Sequence, residues 1–252
     1  MKHLLRALAG EQLKLRSTLA ARLCFIAPTL VVALCVLQLL FSANATPMAD
    51  GQQAWQRFAQ GVLVLWAFLM LPLYVTLQSA LLAGLEHGER QWKHLLALPL
   101  PRGTHYLAKW LVLVLLVLLA IAFLVLLIPP GGWILMQVRN PLGLSGAPPW
   151  FFLLSRGAAI FAASVFIISL HTWISIRWSS FTVAAAVGMS ATVAGFLIAQ
   201  SARFGHWYPW SMPMQVLAGQ GERIGFVVMA GLVGGALALI AGLADFSRRD
   251  PA

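Results

Sequence analysis

Between Trp110 and Ile128 this chain carries no polar side chain. At about −0.3 to −0.6 kcal/mol for each Leu, Ile, Val or Phe, moving that run into hydrocarbon as a helix is favourable by roughly 7 kcal/mol. Wound at 1.5 Å per residue, it is long enough to cross a hydrocarbon layer about 30 Å thick. The rest of the chain agrees. Only 10% of the 252 residues are charged, where a soluble domain carries about 25%. The expected fold class is all-α integral membrane, as one compact domain over residues 1–252.

Six apolar runs are long enough to span, near residues 17–41, 59–82, 107–128, 157–176, 181–200 and 224–244. Pro72 lies inside the second run and is expected to kink it. Cys24 and Cys35 share the first run. On one helix they stand about 16 Å apart, too far for a disulfide, so both read as packing residues.

Lys and Arg placement sets the orientation. With the N-terminus inside, twelve fall on the cytoplasmic side: Lys2, Arg6, Lys14, Arg16, Arg22, Arg90, Lys93, Arg102, Lys109, Arg177, Arg248 and Arg249. Five fall outside: Arg57, Arg139, Arg156, Arg203 and Arg223. Both termini and the segment 85–109 are then cytoplasmic. The net charge of +10 is accounted for by basic residues at helix ends, where they meet anionic lipid. Nucleic acid is not an expected partner. Ala43-Asn44-Ala45 has the look of a signal-peptidase site. The apolar run before it is longer than a signal core, and the basic region contains Glu11, so the first span is expected to be retained.

Residues 1–16 read as an interfacial amphipathic helix. Leu4, Leu5, Leu8, Leu15 and Leu19 share a face, with Lys2, Arg6, Glu11 and Lys14 away from it. The outer connections are expected at 129–149 and 201–222. In the second, Trp207, Tyr208 and Trp210 suit a membrane–water boundary. Pro209 and Pro213 argue against a continuous helix, so a short interfacial or re-entrant element is expected before the last span. Ala184, Gly188 and Thr192, and then Gly231, Gly235, Ala238 and Gly242, make small-residue faces. They are expected to pack helices within one subunit rather than to form a dimer seam by themselves.

All seven acidic residues lie at helix ends or in loops: Glu11, Asp50, Glu86, Glu89, Glu222, Asp245 and Asp250. Ion-coupled transporters keep ionisable groups at depth, so an ion-driven mechanism has little support. His171 sits inside the fourth span and reads as a helix–helix hydrogen-bonding partner. His87, His94 and His105 read as solvated residues, not metal ligands. There is no HExxH, no CxxC, no carboxylate pair beside a nucleophile and no phosphate-binding GxxxxGK[ST] loop. No catalytic, cofactor or metal residues are expected.

The segment 85–109, LEHGERQWKHLLALPLPRGTHYLAK, is the longest charged interruption in the chain. On a helix Leu85, Trp92, Leu95 and Leu96 fall within roughly 100° of arc. Glu86, His87, Arg90, Lys93 and His94 lie opposite. Glu86–Arg90 and Glu89–Lys93 are favourably ordered i,i+4 pairs, and Pro99 and Pro101 end the helix.

This stretch resembles the cytoplasmic coupling region of ABC type-2 permeases, in particular the lantibiotic-immunity and bacitracin-resistance branch. The similarity runs through Glu86, Trp92, Lys93, Leu95, Leu96, Leu98, Pro99, Arg102, Tyr106, Ala108 and Lys109; Pro101 departs from the pattern. Glu11-x-x-Lys14-Leu15 is similar to that family's N-terminal helix, and residues 208–213, Tyr-Pro-Trp-Ser-Met-Pro, to its outer re-entrant element. The resemblance implies the membrane subunit of an ATP-driven exporter in a bacterial inner membrane. A second permease subunit would pair with it, and a separate ABC ATP-binding subunit would hold ATP and Mg. Glu86, Glu89, Arg90, Trp92, Lys93, Leu95, Leu96, Pro99 and Arg102 would couple the two. Cargo would be amphipathic, such as an antimicrobial peptide, a lantibiotic or a drug. The competing classes are a six-span secondary transporter or channel, which needs no ATPase, and a non-transporting anchor subunit.

Overall fold

The computed structural model describes residues 2–15, 18–42, 45–88, 101–178, 180–201, 203–219, 221 and 223–248, with the backbone alone at 2, 85–88 and 102. The regular elements among the described residues are all helices, with no strand. An amphipathic helix α1 (Lys2–Leu15) precedes α2 (Leu19–Phe41). The second span runs as α3 (Gly51–Leu65), a π-helical turn (Trp66–Met70) and α4 (Leu71–Gly88). Then follow α5 (Arg102–Val138), α6 (Trp150–Arg177), α7 (Phe181–Ala199), the one-turn α8 (Met212–Gln215) and α9 (Ile224–Arg248). Six of these stretches are long and apolar enough to cross a membrane.

Local chemistry starts several of them. The Thr18 hydroxyl accepts from Ala21 N at the head of α2, and the Asp50 carboxylate accepts from Gln52 N at 2.9 Å at the head of α3. Ser180 caps α7 by accepting from Val183 N. Pro72 has no N–H to give to Phe68. The turn before it widens, and Leu71 N–H bonds back to Trp66 O, five residues earlier. The proline is thus accommodated by a π-bulge, a feature frequent at functional sites.

The connection between the third and fourth spans is shorter than expected. The segment 129–149 reads as loop in the sequence, yet α5 continues through Pro129 and Pro130 to Val138. Tertiary packing holds it. A Cβ at Gly132 would overlap the Trp55 ring, and one at Gly131 would stand 2.8 Å from Val32 Cγ1. With glycine at both positions α2 and α3 close directly onto the backbone, and neighbouring helices make a proline in a span tolerable. At the other side of the loop α6 begins at Trp150, ahead of Gly157. Arg156 is carried inside the helix because its guanidinium lies over the Phe152 ring and donates to Val216 O at 3.2 Å. Its charge therefore does not mark the edge of the span.

α9 lies along α6 over most of its length, α2 packs on α5, and α4 packs on α7 and α6. The small residues serve these contacts inside the subunit, as expected. A Cβ at Gly231 would come within 2.6 Å of Ala163 Cα, and one at Gly235 within 2.7 Å of Val165 Cγ1. Ala184, Gly188 and Thr192 are buried on α7. Cys24 and Cys35 are buried and unpaired. His105 departs from its expectation: it is buried, because α5 turns it inward next to Tyr106.

Candidate functional site

Three charged residues at the α1 end of the bundle, Glu11, Lys14 and Lys109, meet in one cluster. Lys109 stands on the third turn of α5 and is 3% exposed. Its ammonium lies 3.3 Å from Glu11 Oε2 and donates to Leu82 O at 3.2 Å. Lys14 takes the other Glu11 oxygen, at 3.0 Å. One ammonium therefore joins α1, the end of α4 and the start of α5. The last two helices flank the segment 85–109. Ser79, Thr172 and Ser175 hydroxyls line a cavity against Lys109 with room for about one water.

The sequence pattern puts Glu11 on the solvated side of α1, but it is buried, at 7% exposure. The helix packs on α5 through Ala7 and Glu11, leaving Leu5 and Leu13 outward. A lone carboxylate could not be placed there without a large penalty. Burial by itself raises its pKa, but the Lys109 and Lys14 charges outweigh that and hold it below the usual carboxylate value.

Around this clamp the α5 residues of the Tyr-x-Ala-Lys pattern all face inward. Tyr106 and Ala108 are fully buried. The Tyr106 ring packs on Phe246 at 5.8 Å, which places the end of α9 at the same end of the bundle as α1. Trp173 Nε1 donates to Asp245 Oδ2 at 2.9 Å, tying α6 to α9 there. Of the expected coupling residues, Glu86 falls in the last turn of α4 and Arg102 opens α5. Glu89, Arg90, Trp92, Lys93, Leu95, Leu96 and Pro99 lie outside the described residues.

At the opposite end the chain between α7 and α9 turns inward. Gln215 Nε2 donates to Ala199 O at 3.0 Å, and Gln60 Nε2 to Leu217 O at 3.4 Å, so both shoulders are fixed. Ser211 Oγ donates to Gly205 O and draws the tip together. Tyr208 O–H then donates at 2.9 Å to Ala191 O, about midway along α7. Trp210 presses against His171 edge to face, with ring centroids 5.6 Å apart. Pro213 and Met212 are buried against the bundle, with α8 touching α6 and the π-bulge. Trp207 is 60% exposed and packs edge to face on Phe226. Tyr208, Pro209 and Trp210 are half-buried within the bundle.

His171 itself is fully buried. Thr76 Oγ1 donates to Pro72 O, so it accepts from His171 Nε2–H at 3.2 Å. The helix–helix hydrogen bond expected of His171 is present. A Cβ at Gly188 would overlap Thr76 and stand 2.8 Å from His171 Cε1, so α7 approaches only because that residue is glycine.

Sequence reasoning picks out Glu11, Lys14 and Lys109 as motif members but misses their pairing. A signal is present. Glu11 is the only acidic residue before Asp50, and Lys109 is the last charge before the long apolar run of α5.

A sequence model of the family described as ABC-2 family transporter protein matches residues 7–195, about three quarters of the chain. Neither the comparison with curated proteins nor that with solved structures gives a match. The matched region starts beside Glu11, contains the whole clamp, and ends in α7 ahead of the inward-turning element.

Proposed function

This chain belongs to the ABC-2 transporter family and is a membrane permease subunit of an ABC transporter; we propose that it works as the membrane half of an ATP-driven exporter, moved by a separate ATP-binding subunit. The observation that carries this reading is the Lys109 clamp. The ammonium bonds the end of α4, through Leu82 O, and α1, through Glu11. A partner pressing on the segment between α4 and α5 would push helices that move with α1 as one body. Such rigid-body motion is how a packed bundle alternates between two arrangements.

The far end supplies a part that can respond. The π-bulge at Trp66–Met70, Thr76, His171 and the element carrying Trp210 meet in one layer. A shift of α4 relative to α6 changes the Thr76–His171 contact and the seat of Trp210. Glu86, Glu89, Arg90 and Lys93 present the polar face to the partner. Trp92, Leu95 and Leu96, with Pro99 and Arg102 closing the segment, give it an apolar anchor. A second permease subunit completes the path. Both termini face the cytoplasm of a bacterial inner membrane. The basic residues gathered at the α1 end support that orientation.

The cargo we assign is amphipathic: an antimicrobial peptide of the lantibiotic kind, or a drug, taken from the bilayer. An apolar depression of about 600 Å³ beside Leu197, Phe204, Trp207 and Tyr208 supports a ligand with a large apolar face. The test is export from cells or vesicles with an intact partner and with one whose phosphate-binding lysine is replaced. The proposal requires transport in the first and none in the second. Transport in both would favour a secondary transporter, and transport in neither, with the partner still recruited, an anchor.

A further inference from the structure

We infer that the cleft between α2 and α3 is a binding site for one anionic phospholipid, with the headgroup at Arg57 and an acyl chain running down α3 to Leu65. The cleft encloses about 310 Å³, within the range of sites that hold small ligands. Leu39, Val62 and Leu65 line it, with Gln38 and Arg57 at one end. Gln52, Gln53, Gln56 and Arg57 are all exposed on α3, so this polar stretch marks where the helix leaves the hydrocarbon. From Arg57 to Leu65 the wall extends about 12 Å. The cleft thus has a cationic, wet end and an apolar end in the order that a phospholipid presents.

Charge complementarity selects an anionic headgroup. Among the described residues no carboxylate lies within ion-pair distance of Arg57. Asp50, the acid nearest in sequence, is occupied in capping α3. A second cation stands close by: Arg139 donates to Leu40 O at 2.7 Å, next to Leu39 of the cleft wall. Gly61 opens the middle of the wall, since a Cβ added there would meet nothing within 4 Å. The inner end of the site abuts the π-bulge, which starts at Trp66, next to Leu65. This inference needs only that the chain spans a membrane; it stands or falls apart from the exporter reading.

The full chain, with any subunits that accompany it, is reconstituted into vesicles of phosphatidylcholine and phosphatidylglycerol in equal amounts. It is then re-extracted in mild detergent and weighed with its bound lipid by native mass spectrometry. The wild type is expected to keep phosphatidylglycerol in preference to phosphatidylcholine. Arg57→Gln should lower that retention about fivefold, the factor one basic residue provides at an anionic surface. Gly61→Trp keeps every charge but fills the cleft, and should bring retention to the phosphatidylcholine level, while Gly61→Ala leaves it unchanged. No preference in the wild type, or full retention in both Arg57→Gln and Gly61→Trp, would overturn the inference. So would loss with Arg57→Gln alone, which would mean surface attraction without a seated chain. A change of oligomer mass with Gly61→Trp and no change in lipid would show that a second copy covers the cleft, and would overturn it too.

Discussion

Lys109 and Glu11 form a buried ion pair at 3.3 Å across 98 positions of sequence, and the same ammonium holds the Leu82 carbonyl of a third helix. Removing Glu11 takes the carboxylate away from the buried Lys109 ammonium, whereas removing Lys109 leaves Glu11 with Lys14. Glu11→Gln should therefore destabilise the chain by up to about 3–5 kcal/mol, and Lys109→Met by less, because Lys14 still compensates the carboxylate. The double substitution should recover most of that loss, because no charge is stranded. Thermal unfolding of the four proteins in one detergent forms the cycle that checks this. Additive losses would show that the two groups do not act on each other.

The same pair gives a pH dependence whose sign is fixed. The Glu11 pKa in the folded chain lies below its ordinary value of 4.5. Its contribution is complete above that value and is lost as pH falls from 4.5 through the lower folded value. Melting temperature should decline below pH 4.5 in the wild type, and this component should be missing from Glu11→Gln. A parallel decline in both would place the acid sensitivity elsewhere.

The six spans are legible because burial in lipid demands long apolar runs, and each run in the sequence has its helix. Their ends are less so. Pro129 and Pro130 read as a stop, but Gly131 and Gly132 accept Val32 and Trp55 against the backbone and the helix goes on. That contact joins residues far apart in sequence, and no local pattern reports it. Tyr208 and Trp210 carry the right chemistry for an interface, but their contacts with Ala191 O and His171 join separate helices and no local pattern reports them. Lys109 is recognisable as part of a pattern. Its bond to Glu11 is not, because one charged residue on a helix face looks solvated until its partner is known.

The glycines of α9 make a paired prediction. Gly231→Leu pushes against the Ala163 backbone, which cannot move aside, and overpacking of this kind costs about 1–3 kcal/mol. Gly225→Ala, with nothing within 4 Å of the new Cβ, should be neutral or stabilising by up to about 1 kcal/mol. Unfolding of both in the same detergent checks the contrast. Equal effects would mean that α9 does not lie on α6 as described.

Tyr208→Phe removes the hydrogen bond to Ala191 O and should cost about 0.5–1.5 kcal/mol. The inward-turning element should loosen as a unit. Amide exchange over residues 201–217 is expected to speed up, while exchange in α2 and α5 stays unchanged. Exchange unaltered over residues 201–217 would show that the element is held without this bond.

The most direct measurement is affinity purification of the full chain in mild detergent, as wild type and as Trp92→Ala and Glu89→Lys. An ATP-binding subunit should accompany the wild type. Both variants should reach the membrane but recover less of that subunit and export less. A wild type that brings no such subunit with it, or two variants that assemble and export normally, would contradict the exporter reading.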